Sequence, residues 1–96
     1  MPKVTKKSET RTIKISNENG LHARPASEFV RCAMRFKSEV TLCVNGRKIS
    51  GISIMDIMTA NIRKGLELEV TAEGVDADKA LKAIEKTLEE LALKGF

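Results

Sequence analysis

Asn17-Glu18-Asn19-Gly20-Leu21-His22-Ala23-Arg24-Pro25-Ala26 joins two periodicities. Before it, Thr12-Ile13-Lys14-Ile15 alternates polar and β-branched apolar residues, the pattern of a half-buried strand. After it, Ala26, Phe29, Val30, Ala33 and Met34 recur at helical spacing and fall on one face, predicting a helix over 23–35. Asn17 to Gly20 supplies turn chemistry between the two, and Pro25 is tolerated in a first turn, where its missing N–H has no intrahelical partner. The only histidine of the chain therefore stands where a helix begins, with Arg24 two residues on. A helix start carries unpaired N–H groups and the positive end of the helix dipole. An anion attached to His22 would find donors waiting, which is a phosphate site in outline.

Working outward, Glu39 to Val44 alternates again, Asn45-Gly46 is a strong hairpin signal, and Arg47 to Ser50 returns as a second strand of an antiparallel pair. Ser53-Ile54-Met55-Asp56 fits a capping box and opens a short helix over about 54–60, with Asn61 suited to the left-handed residue that ends it. Leu66, Leu68, Val70 and Ala72 alternate with polar residues in a fourth strand. Asp76 then caps a long helix with the stripe Ala77, Ala80, Leu81, Ile84, Leu88 and Leu91. The order β-α-β-β-α-β-α, with one apolar face per strand and one stripe per helix, predicts an α+β fold. Its form is a two-layer open-faced β-sandwich: a four-stranded antiparallel sheet with three helices on one face. Residues 1–9 carry no apolar periodicity and are expected to be a flexible N-terminal extension to a domain over 10–96.

Composition narrows the function. With 96 residues there is room for one small domain, and 42% hydrophobic with 31% charged residues describes an ordinary globular chain. No apolar run is long enough to insert in a membrane, and no apolar segment follows the basic start as an export signal would require. Cys32 and Cys43 have neither redox nor metal spacing and read as core or half-buried thiols in a cytoplasmic protein. The net charge of +4 invites a nucleic-acid reading, but Trp and Tyr are absent and the three Phe do not interleave with basic residues. An acidic or phosphorylated protein partner suits the charge equally well.

Two motifs resemble one family. Gly20-Leu21-His22-Ala23-Arg24-Pro25-Ala26 resembles the phosphorylation site of HPr, the histidine-containing phosphocarrier of the bacterial phosphoenolpyruvate-dependent phosphotransferase system. Ser53-Ile54-Met55 with Met58 resembles the regulatory-serine segment of HPr proteins. The resemblance covers residues 10 to 92. It implies that His22 accepts phosphate from phosphorylated enzyme I and donates it to an enzyme IIA, that Arg24 contacts the phosphate, and that Ser53 is phosphorylated by an HPr kinase/phosphorylase. It further implies that Ile54, Met55 and Met58 form an apolar docking patch.

The residues themselves fit a relay. A neutral imidazole is a nucleophile near neutral pH, and no metal cluster, cofactor motif or second activating base accompanies His22. Ser53 has an independent structural role as a helix cap, and a phosphate there would meet the Asp56 carboxylate. The alternative function is a regulatory, nitrogen-type phosphotransfer module of the same fold. Charged outer faces make a monomer the expected state.

Overall fold

The computed structural model describes residues 7–96. Strands β1 (Ser8–Lys14), β2 (Glu39–Val44), β3 (Arg47–Ser50) and β4 (Glu67–Glu73) form one antiparallel sheet in the order β1-β4-β2-β3. Helices α1 (Ala23–Ala33), α2 (Ile54–Thr59) and α3 (Ala77–Leu93) complete the expected succession. Strand alternation decides which sheet face is covered. Ile13, Val40, Leu42, Val44, Leu68, Val70 and Ala72 are buried, whereas Thr12, Lys14, Glu39, Glu67, Glu69 and Glu73 between them are exposed. The helices thus occupy one side and the other stays open to water, as the alternating faces predicted.

The core lies between these layers. Phe29 and Val30 of α1 and Leu81, Ile84 and Leu88 of α3 are buried with the inward strand residues. Complete burial of a side chain as large as Phe29 contributes about 2–3 kcal/mol. Every residue of the predicted α3 stripe is buried. Cys32 is buried and Cys43 half-buried, both as free thiols.

Several boundaries move. β1 begins at Ser8, pairing Ser8 with Glu73 and Glu9 with Ala72, so the last two residues of the expected extension belong to the sheet. Residues 1–6 lie outside the described residues. Ladder hydrogen bonds to β4, which no periodicity in Ser8-Glu9-Thr10 announces, extend the strand. α1 ends at Ala33, and Met34, expected on its apolar stripe, is 66% exposed as the C-cap. α2 ends at Thr59 and β4 begins at Glu67, each one residue inside its expected limit. Asn61 does take a positive φ of 59° beyond α2.

Asp76 stands at the N-cap of α3, yet its side chain makes no capping bond. Its carboxylate accepts from the backbone N–H groups of Lys37 and Ser38, each at 2.9 Å, and from the Ser38 hydroxyl. Those donors hold the carboxyl below its ordinary range, the Ser38 hydroxyl foremost and the Lys37 N–H next. The expected cap of one helix is thus a clasp on the turn that follows another.

Candidate functional site

Two close approaches build the start of α1. Gly20 has φ of 67°, and a Cβ there would lie 2.0 Å from the Ile62 carbonyl oxygen, so only glycine fits. The neighbouring Leu21 is buried and donates its N–H to that same carbonyl at 3.0 Å. Below the turn, Asn17 is buried and its Nδ2 donates to the Leu88 carbonyl of α3 at 3.1 Å. These contacts seat the segment before His22 on the loop after α2 and on α3. Glu18 adds an exposed ion pair with Lys64 at 3.1 Å, which contributes little on its own.

His22 follows as the N-cap of α1, with extended backbone. Its carbonyl accepts the first helical bond, from Ala26 N–H at 2.8 Å, while its side chain makes no capping bond and is exposed. Among the described residues, the Ala23 and Arg24 N–H groups have no backbone partner, and Pro25 has none to offer. No acidic residue lies in the first turn of the helix. An exposed imidazole, two N–H donors without backbone partners and the positive end of the helix dipole therefore stand together at the start of α1, with Arg24 in the same first turn.

Arg24 is also exposed. Its Nε lies 3.3 Å from Oε2 of Glu28, and its guanidinium lies over the Phe96 ring, 4.8 Å from the centroid. The motif announces neither neighbour. The spacing of Arg24 and Glu28, one helical turn, was a readable signal for an ion pair, whereas Phe96 comes from the far end of the chain.

Ser53 is the N-cap of α2, and its Oγ accepts from Asp56 N–H at 3.3 Å. Half of the expected capping box is thereby formed; the Ser53 N–H goes instead to the Ser50 carbonyl at 3.4 Å. The chain reaches this cap because Gly51 passes flush against β2, where a Cβ would lie 2.7 Å from Val40 Cγ1. Met55 is 68% exposed and Ile54 39% exposed, whereas Met58 packs partly against the core. Of the three expected patch residues, Met55 is the most exposed, Ile54 less so and Met58 half-buried. α1 and α2 pack against each other.

The principal clefts lie elsewhere. One, between the β2–β3 turn and α2, is lined by Arg47, Lys48, Asp56 and Thr59; neither His22 nor Arg24 borders it or the others. A reactive side chain on open surface is accessible to another protein rather than enclosing a small molecule. Among the described residues, no three His, Cys, Asp or Glu side chains gather as a metal site would require, and no helix is long and apolar enough to cross a membrane.

Comparison with known proteins agrees with this geometry. Residues 9–90 match the family model described as the PTS HPr component phosphorylation site. The phosphocarrier protein HPr of Mycoplasma capricolum subsp. capricolum is 40% identical over 79 residues, covering 82% of this chain and 89% of that protein. The crystal structure of HPr-C-His from Thermoanaerobacter tengcongensis superposes with a TM-score of 0.82 at 37% identity, over 86% of this chain and 93% of that one. An HPr dimer from the same organism gives a TM-score of 0.68 at 37% identity, over 94% and 95% of the two chains. The chain belongs to the HPr family of phosphocarriers of the phosphotransferase system.

Proposed function

We propose that His22 is the phosphoryl acceptor and donor of this phosphocarrier, charged by phosphorylated enzyme I and discharged to an enzyme IIA. The observation that carries the reading is the unoccupied start of α1: an exposed histidine whose side chain caps nothing, beside two free N–H groups and Arg24. In the transfer, the lone pair of a ring nitrogen of neutral His22 forms the new N–P bond as the N–P bond of the donor histidine breaks. The bonding pair returns to the donor's ring nitrogen, and the proton on the second nitrogen of His22 stays in place. The free N–H donors and the guanidinium balance the charge of the arriving group. The same steps in reverse deliver it onward.

Ser53 is the regulatory phosphorylation site in this reading, recognised by an HPr kinase/phosphorylase, with Ile54 and Met55 as the exposed part of the docking patch and Met58 beneath them. Phosphorylation there replaces a formed cap and places charge near Asp56, so it weakens the start of α2 as it changes the docking face. The working species is a monomer whose single domain runs from β1 to α3.

Incubation with phosphoenolpyruvate and enzyme I tests the main reading. One acid-labile, base-stable phosphate per chain is expected, absent from His22→Ala. A phosphate that persists in that variant would overturn it.

A further inference from the structure

Arg24 is held by two neighbours that leave most of it unused. The guanidinium carbon lies over the Phe96 ring, and Glu28 approaches from the Nε side. An aromatic ring attracts the guanidinium through its π face, so it restricts the group without offering a hydrogen-bond acceptor that would consume a donor. Neither Nη nitrogen makes a hydrogen bond among the described residues. The two Nη groups are the ones that can meet phosphoryl oxygens side by side.

The position of the Phe96 ring is itself built. Phe96 N–H donates to the Leu91 carbonyl at 2.8 Å and Gly95 N–H to the Ala92 carbonyl at 3.1 Å, with Gly95 at φ of 91°. This pair of bonds is a Schellman closure of α3. It anchors Phe96 to the end of a helix that packs against α1 and through Asn17 also supports the turn before His22. The same helix end therefore supports the turn that carries the histidine and the ring that meets the arginine.

We propose that Phe96 and Glu28 are positioning residues for Arg24: the ring fixes where the guanidinium rests, and the carboxylate is its resting ionic contact, exchanged for phosphoryl oxygens when His22 is charged. The proposal rests on His22 being the acceptor. No covalent bond to Arg24 forms or breaks in the transfer; only its ionic contact is exchanged. The two neighbours then act with opposite sign. Loss of the ring frees Arg24 to wander and weakens its hold on the phosphoryl group, whereas loss of the Glu28 charge removes a negative charge that competes with the phosphoryl group for the guanidinium.

The experiment uses the full chain with phosphoenolpyruvate and enzyme I. It measures kcat/KM for phosphorylation of the chain and the lifetime of phosphohistidine after enzyme I is removed. Phe96→Leu and Phe96→Ala should each lower kcat/KM and shorten the lifetime by about two- to fivefold, the scale of an exposed cation–π contact. Glu28→Gln should lengthen the lifetime by about twofold, the scale of an exposed ion pair. All three effects should vanish when Arg24→Ala is already present. In the uncharged protein the Arg24 Nε–H proton should be shielded by the ring and lose that shift in Phe96→Leu. Wild-type lifetimes in the Phe96 variants, or equal losses with and without Arg24, would overturn the proposal while leaving His22 as acceptor. Absence of phosphohistidine from the wild type would instead remove the underlying reading.

Discussion

The starts of α1 and α2 have the same outline, a polar residue in extended conformation at the N-cap, yet they differ in what is already occupied. At α1 the His22 side chain caps nothing, the Ala23 and Arg24 N–H groups have no backbone partner, and the first turn carries no acid. At α2 the Ser53 hydroxyl is engaged by Asp56 N–H, and Asp56 itself puts a carboxylate in the first turn. The start of α3 is a further variation, because its N-cap Asp76 turns away to clasp Lys37 and Ser38. A helix N-terminus alone does not make a phosphate site. In the function proposed for His22, the uncapped start of α1 does so together with the close-packed turn that seats it.

The seat gives the largest predicted effect. Gly20→Ala would drive a Cβ into the Ile62 carbonyl at a positive φ, and should cost about 3 kcal/mol in urea unfolding while slowing phosphorylation of His22. Wild-type stability in that variant would mean that the turn before α1 is not rigidly held. Next, Ser53→Ala should cost about 1 kcal/mol, because its hydroxyl is a working cap. His22→Ala, which removes no capping bond, should leave stability nearly unchanged. Equal losses at the two positions would erase the contrast between the helix starts.

Charge sharpens it further. Ser53→Glu should destabilise the protein more with Asp56 present than together with Asp56→Asn, by about 0.5 kcal/mol in a double-mutant cycle of thermal unfolding. The smallest effect is confined to acid. Because the Asp76 carboxyl is held below its unfolded value of about 4, its contribution is present above that pH and is lost as pH falls through the depressed folded value. Asp76→Asn should therefore flatten the acid limb of the stability profile between those two values, measured by urea unfolding at stepped pH.

Much of this could be read in advance because the signals were local. The alternation of Thr12 to Ile15 and Leu66 to Ala72, the Asn45-Gly46 turn and the α3 stripe each encode their element within a few residues, and the α+β order followed. His22 at a helix start was legible for the same reason, since Pro25 and the switch in period mark the boundary. What escaped the reading depends on distant partners. Ser8 and Glu9 are strand residues only because Glu73 and Ala72 lie beside them. Met34 follows the helical spacing of α1 but falls just past its last turn. Asp76 looks like a cap in sequence and acts as a clasp because the loop at Lys37 and Ser38 folds against it. Phe96 reaches Arg24 only once α3 has packed on α1.

The most direct test of the central claim follows the backbone amides of both helix starts by NMR as enzyme I and phosphoenolpyruvate charge the protein. The Ala23 and Arg24 amide protons should move downfield on forming hydrogen bonds to the new phosphoryl group, in step with phosphohistidine, while those of Ile54 to Asp56 stay in place. Shifts centred on Ser53 to Asp56, or phosphohistidine that leaves the Ala23 and Arg24 amides unmoved, would contradict the account.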